Sequence, residues 1–266
     1  MKKKEEVENL LEKINKKQIW DDVPTFCFTS DIDWASEDIL ELYFNNLENY
    51  KIKNTLFLTH DSKIINDKFY EKKIERNIHP NFLNGSSHGD TFKEVIENCI
   101  KFAPESYGFR SHRLFDVSDI THTLKNEYNF KYVSNLGTIM QNNIKPILHE
   151  SGLIHLPIFF EDGTHLYNQL DFDFKKYINY FTSPGLKIIS YHPVNFVINS
   201  PSIKFARNIK DNLTRDEFLN IKKEQIVKIK NYDLGIQKTV IDIIEFALTK
   251  NYPILSLNDI YKMIVD

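Results

Sequence analysis

Six short apolar runs in this sequence lead into residues able to bind a metal or move a proton. The run 25–30 leads into Asp31 and Asp33, and the run 54–59 into His60 and Asp61. The segment 76–79 ends on His79, and 106–110 ends on Arg110, with His112 just beyond. The run 156–160 leads into Glu161 and Asp162, and 186–191 into His192. Aspartate and histidine are natural ligands of a hydrolytic divalent ion such as zinc, which takes about three protein ligands and keeps a position open. Such an ion lowers the pKa of water from ~15.7 to about 7, making a nucleophile at neutral pH. A nearby carboxylate that does not ligate can take the remaining proton. Asp31 and Asp33 suit that division, because residues two apart on a strand point the same way. Carboxylates that close repel unless a cation or an arginine offsets them, and a metal with Arg110 would supply both.

Each residue also has a plainer role open to it. Asp-x-Asp after a strand suits a turn or a helix cap, and His60 suits a cap of the helix that follows. His79 before Pro80, and His88 in Ser86-Ser87-His88-Gly89, suit loops. Arg110 could pair with a surface acid. His192-Pro193, after a strongly apolar run, is the hardest to read that way. His122, His149, His155 and His165 fall at no strand end. Six such residues in series at strand ends point to a site more strongly than any one of them does.

That series needs strands running in one direction. Strands are predicted at 25–30, 54–59, 76–79, 106–110, 131–134, 156–160 and 186–191, with 254–257 closing the set. Helices are predicted at 36–50, 61–72, 91–102, 119–128, 173–181, 214–232 and 234–250. Alternation of this kind implies a parallel sheet. Seven or eight strands favour a barrel over an open sheet, and barrel enzymes build their sites at the carboxyl ends of the strands. No GxGxxG follows the first strand and no GxxxxGK[ST] occurs, so nucleotide binding of those kinds is unsupported. Residues 3–17 carry Val7, Leu10, Leu11 and Ile14 at helical spacing. The expected organisation is one domain over 1–266, a helical extension at 1–20 and a barrel at 22–266.

The 266 residues are 41% hydrophobic with 20 Phe and 13 Tyr, enough for a sizeable core. A formal charge of −3 and the lack of a basic patch with interleaved aromatics exclude nucleic acid as a main partner. Cys27 and Cys99 have no CxxC spacing, and both read as core residues. The N-terminus has no apolar core of signal-peptide length, and no stretch reaches the ~20 apolar residues of a membrane span. A cytoplasmic location is expected.

The order of these residues resembles the polysaccharide deacetylase (NodB-type) superfamily. More narrowly it resembles the WbmS-type branch, associated with O-antigen and surface-sugar gene sets. The resemblance lies in Thr29-Ser30-Asp31-Ile32-Asp33-Trp34, Ile78-His79-Pro80-Asn81-Phe82, Gly108-Phe109-Arg110-Ser111-His112 and Ser190-Tyr191-His192-Pro193-Val194-Asn195. It spans about residues 22–200. It implies a distorted (β/α) barrel of about seven parallel strands and one divalent metal: Zn²⁺ first, with Co²⁺, Ni²⁺ or Fe²⁺ as alternatives. The implied reaction removes N- or O-acetyl groups from sugars, and the expected case is loss of an N-acyl group from an acylated amino sugar, free or nucleotide- or lipid-linked, in surface-polysaccharide biosynthesis. Carried over residue by residue, Asp31 would be the general base and Asp33 the metal carboxylate. His79 would be the first metal histidine, and Arg110 would orient and neutralise Asp31. His192 would protonate the leaving amine or stabilise the oxyanion.

Two departures are visible. The superfamily spaces its metal histidines four apart, whereas position 83 here is Leu83. His88 is expected as the second metal histidine, looped back through Asn84-Gly85-Ser86-Ser87, with His60 and His112 as alternatives. The arginine motif also lacks its usual proline. Trp34, Asn81, His112 and Asp162 are the expected substrate contacts. Phe82, Phe109, Phe115 and Tyr191 are further stacking candidates, at least half of them expected to be packing. Two other readings stay open: a different metal-dependent barrel hydrolase (an amidohydrolase or phosphoesterase), and a non-catalytic carbohydrate-binding homologue.

Overall fold

The computed structural model describes residues 2–266 and centres on one strand. β1 (Pro24–Asp31) is buried along its whole length. Its threonines and phenylalanines suit a pleated surface covered on both faces. On one side β1 pairs in parallel with β2 (Asn54–Leu58), and β3 (Ile74–Ile78), β4 (Gly108–Phe109) and β5 (Tyr132–Val133) follow in parallel. On its other side lie β9 (Gly185–Tyr191) and then β8 (Phe160–Glu161). β7 (Ile154–His155) pairs in parallel with β5, and β6 (Ile147–Leu148) is antiparallel to β7. The resulting order is β6-β7-β5-β4-β3-β2-β1-β9-β8.

The two sides of this sheet meet in one piece of chain. The Leu156 amide donates to the Val133 carbonyl (2.8 Å) and the Ile158 amide to Leu136 (2.7 Å), continuing the β5 side. The Phe159 amide then crosses to the Ile188 carbonyl of β9 (2.9 Å). Residues 154–161 therefore serve both sides, and the sheet curls into a distorted, mostly parallel α/β barrel. The fold class is the expected one. The single strand expected at 156–160 is instead divided between two partners, the change falling between Ile158 and Phe159.

Local signals set most of the helices. Ser36 caps the helix Glu37–Leu47, which turns Ile39, Leu40, Tyr43 and Leu47 inward. A Thr91–Glu94 capping box opens Phe92–Ile100. The helix Lys2–Ile14 packs on the C-terminal helix Leu257–Val265. Three expectations are corrected. The stretch 214–232 is two short helices, Arg215–Leu219 and Lys223–Ile229, because buried Ile221 turns inward and its carbonyl accepts the Ser36 hydroxyl (2.9 Å). The closing strand at 254–257 shrinks to one bridge between Ile254 and Phe26, since Ser256 already caps Leu257–Val265. A further helix, Ile203–Asp211, was not anticipated. No helix among the described residues is long and apolar enough to cross a membrane.

Candidate active site

The strand ends deliver their polar residues to one mouth of the barrel. Asp31 is the last residue of β1. His79 follows β3 with its amide on the Leu58 carbonyl (2.8 Å), and Arg110 follows β4 with its amide on Ile78 (3.2 Å). Asp33 arrives differently from the expectation. It lies past the end of β1 at φ 43°, and Trp34 follows at φ 58°. The turn is held by the Ala35 amide on Ile32 (2.8 Å) and the Trp34 amide on the Thr59 hydroxyl (3.0 Å). Non-glycine residues in the left-handed region cost about 1–3 kcal/mol each and cluster at functional sites. A second such pair, Arg113 (φ 57°) and Leu114 (φ 54°), lines the same cavity.

Arg110 is wholly buried beneath Asp31. Its Nη1 reaches Asp31 Oδ1 (2.8 Å), the Ser190 hydroxyl (2.9 Å) and the Thr29 hydroxyl (3.0 Å). Nη2 donates to the Ser134 hydroxyl (2.9 Å) and Nε to the Ser134 carbonyl (3.1 Å). The guanidinium also lies over the Phe57 ring, 4.3 Å from its centroid. Each of the three nitrogens of the fork therefore donates. Burial pushes the Asp31 carboxyl up, but Arg110, then His79 and His192, outweigh it and hold it below the ordinary carboxylate value. Asp31 is an ionised acceptor at neutral pH.

Next to it, Asp33 Oδ1 lies 3.3 Å from His79 Nε2 and 3.0 Å from His112 Nδ1. One donor atom from each of the three falls within 4.8 Å of the others. One carboxylate and two imidazoles, with room left for water, match the donor chemistry of a hydrolytic zinc site. The His79 Nδ1 is buried without a hydrogen-bond partner. Asp33 Oδ2 meets Lys210 Nζ at 3.0 Å and His192 Nε2 at 3.8 Å. Burial pushes the Asp33 carboxyl up, while Lys210, His112 and His192 bring it well below its usual range. The residues present fit a divalent cation.

His88, the expected second metal histidine, does not join this set. Its Nε2 is on the Thr59 carbonyl (2.7 Å), while Nδ1 accepts from the Asn81 amide (3.0 Å) and sits 3.2 Å from Cys99 Sγ. Both nitrogens are spent bracing the loop, and burial holds the ring neutral, with its pKa down to about 4. His60 is committed likewise, to the Thr59 hydroxyl (3.0 Å) and the Ala35 carbonyl (3.1 Å). The second imidazole is His112, weighed before only as an alternative ligand and a substrate contact. Asn81 is corrected too: its side chain accepts from the Leu83 amide (3.1 Å) and does not line the cavity.

Asp162, expected to touch substrate, is instead sealed behind His192. Its Oδ1 is 2.7 Å from His192 Nδ1, and its Oδ2 accepts from the His192 amide (2.9 Å) and Asn195 Nδ2 (3.1 Å). Burial alone would lower the His192 pKa, but Asp162, followed by Asp33 and Asp31, raises it to about 10. At neutral pH His192 is an imidazolium with Nε2 facing the cavity. Asp162→Asn should bring its titration from about 10 toward the ordinary 6.5. A ring-nitrogen NMR titration checks this, and an unmoved midpoint would give the effect to Asp33 and Asp31.

The groups meet in a cavity of about 880 Å³. Asp31, Asp33, His79, His112 and His192 reach it from the barrel, and the helices Ile203–Asp211 and Arg215–Leu219 form its far wall. Of the expected aromatics only Trp34 lines it; Phe82, Phe109 and Tyr191 are core residues, and Phe115 packs on the core. Sequence reasoning missed Tyr167, Lys210 and Phe218. Reading 214–232 as one helix hid part of this wall. Ser202 before Ile203, Ala206 and Ile209 was the usable signal for the rest, a cap followed by apolar residues at helical spacing.

Comparison with known proteins adds to this geometry. The sequence matches the WbmS-like polysaccharide deacetylase family over residues 28–210. The fold is similar to a crystal structure from Bordetella bronchiseptica, named as a polysaccharide deacetylase involved in O-antigen biosynthesis. That alignment has a TM-score of 0.72 at 21% identity and covers 83% of this chain and 90% of the other. A peptidoglycan N-acetylglucosamine deacetylase aligns with TM-score 0.44 at 12% identity, over 90% of this chain and 88% of its own. A mutant CE4-family pseudoenzyme with restored enzymatic activity aligns with TM-score 0.43 at 10% identity, over 93% and 68%. No curated protein matches the sequence.

Proposed function

The chain belongs to the WbmS-like polysaccharide deacetylase family, and from that premise we propose that it is a metal-dependent hydrolase removing an N-acyl group from an acylated amino sugar during surface-polysaccharide biosynthesis. The O-antigen role named for the similar Bordetella protein supports that setting. One observation carries the chemistry. An arginine-held carboxylate and an aspartate-held imidazolium flank the Asp33, His79 and His112 donors.

In this reading Asp33, His79 and His112 hold one divalent cation, Zn²⁺ in the first instance. The ion would supply Lewis acidity toward the acyl carbonyl and lower the pKa of water beside it. Asp31 takes the proton of the attacking water. Its low pKa makes it a modest base but keeps it ionised, and Arg110 keeps it aimed. His192 approaches the same space as an acid and gives its Nε2 proton to the departing amine. Asp162 positions the ring and stabilises its charge, as a buried carboxylate does for a catalytic histidine. Trp34 offers a face on which a sugar can stack.

The test pairs metal analysis of the purified protein with acetate and formate release from N-acylated amino sugars. One divalent ion per chain and amine-releasing activity are expected. No retained metal, with no activity after addition of Zn²⁺, Co²⁺ or Ni²⁺, would defeat the proposal.

A further inference from the structure

The chain is rich in lysine but has only five arginines: Arg76, Arg110, Arg113, Arg207 and Arg215. Arg76 is paired with Glu105 and Arg110 with Asp31. The other three all line the active-site cavity, and among the described residues none has a carboxylate partner. They come from three separate elements. Arg113 sits on the strained turn beside His112, Arg207 on the helix Ile203–Asp211, and Arg215 opens Arg215–Leu219. The Arg215 guanidinium lies 5.5 Å from the Trp34 ring centroid, next to the proposed sugar platform. Four acids share the lining: Asp31 is held by Arg110 and Asp33 by Lys210, Glu161 is turned to the Thr164 hydroxyl, and Asp211 is exposed at the rim, as the three arginines are. Arginine, unlike lysine, offers a rigid fork that matches phosphate oxygens bidentately. With the inner acids engaged by Arg110, Lys210 and Thr164, three arginines without a carboxylate partner stand together at the mouth of one cavity, a cluster of donors suited to an anion. At about 880 Å³ the cavity is also far larger than one sugar ring requires.

We propose that the substrate is a phosphorylated amino sugar, with Arg113, Arg207 and Arg215 gripping a phosphate or diphosphate beside the ring whose acyl group faces Asp33, His79 and His112. This rests on the deacylase reading above and names the substrate class for it. The diphosphate could come from a nucleotide or from a lipid carrier, and both present the same oxygens to the arginines.

Two measurements test it. Inorganic pyrophosphate is titrated into the protein by calorimetry. Acetate release is compared for N-acetylglucosamine, its 1-phosphate, its uridine diphosphate form and a prenyl diphosphate-linked form. Pyrophosphate should bind, and each single change Arg113→Gln, Arg207→Gln or Arg215→Gln should weaken it by about 10- to 100-fold. The same changes should raise KM for the phosphorylated sugars more than they lower kcat. Lys204→Gln, an exposed lysine on the same helix that does not line the cavity, should do neither. Preference between the uridine and prenyl forms identifies the carrier. Pyrophosphate binding that ignores all three arginines overturns the proposal, as does equal turnover of free and phosphorylated sugar. If pyrophosphate binds through the arginines but no acyl sugar is hydrolysed, the anion site stands and the deacylase reading falls.

Discussion

Asp33→Ala should leave the protein without its metal and cut turnover by about three orders of magnitude or more, because a Lewis acid contributes several kcal/mol at the reacting centre. Asp33 is the carboxylate on which both imidazoles converge, at 3.3 and 3.0 Å, so its removal leaves a two-imidazole site. Zinc sites need about three protein ligands, and two imidazoles fall short of that. Alanine also suits the φ of 43° less well than aspartate does. Asp33→Asn is therefore the companion variant, keeping the turn while removing the charge that opposes the cation. Emission spectroscopy for metal, with circular dichroism as a check on folding, decides the matter. A folded Asp33→Ala protein that still carries one ion per chain would remove Asp33 from the ligand set.

Asp31→Asn should behave in the opposite way, keeping the metal and losing about 10²- to 10⁴-fold in kcat, the usual contribution of a positioned general base. It should also cost stability. Arg110 would keep its hydroxyl and carbonyl acceptors but lose its only carboxylate, and an unpaired buried charge costs up to about 3–5 kcal/mol. The pH dependence follows from the sign of the shift. The folded carboxyl lies below its ordinary 3.8, so its stabilisation is full above that value and lost as pH falls through the lower folded value. The gap in unfolding free energy between wild type and Asp31→Asn should hold at neutral pH and close only in acid below 3.8. Denaturant titrations over that range measure it. A variant that retains its rate would place the base elsewhere.

The barrel was legible in the sequence because each central strand is a run of apolar and β-branched residues ended by a polar one. Asp31, His79, Arg110 and His192 were found in that way, by where a run stops. Charge alone set Arg110 against the two aspartates, and the family resemblance assigned it to Asp31. What failed depended on distances no run reveals. His88 is the histidine nearer to His79 in sequence, and only the folded chain shows it turned back onto Thr59 while the more distant His112 faces Asp33. Asp33 was reached for the wrong reason, since a left-handed turn and not strand alternation points it inward. β4, β5, β7 and β8 are only two residues each, too short for any periodicity to mark.

The shared segment 154–161 ties two events together. Its last residue pairs with Ser190 of β9, and the next residue, Asp162, is the one that holds His192. A chain that fails to join its two sides there also fails to deliver Asp162, so His192 loses the partner that keeps it charged. Two adjacent residues, Glu161 and Asp162, thus close the sheet and hold the ring proposed as the acid.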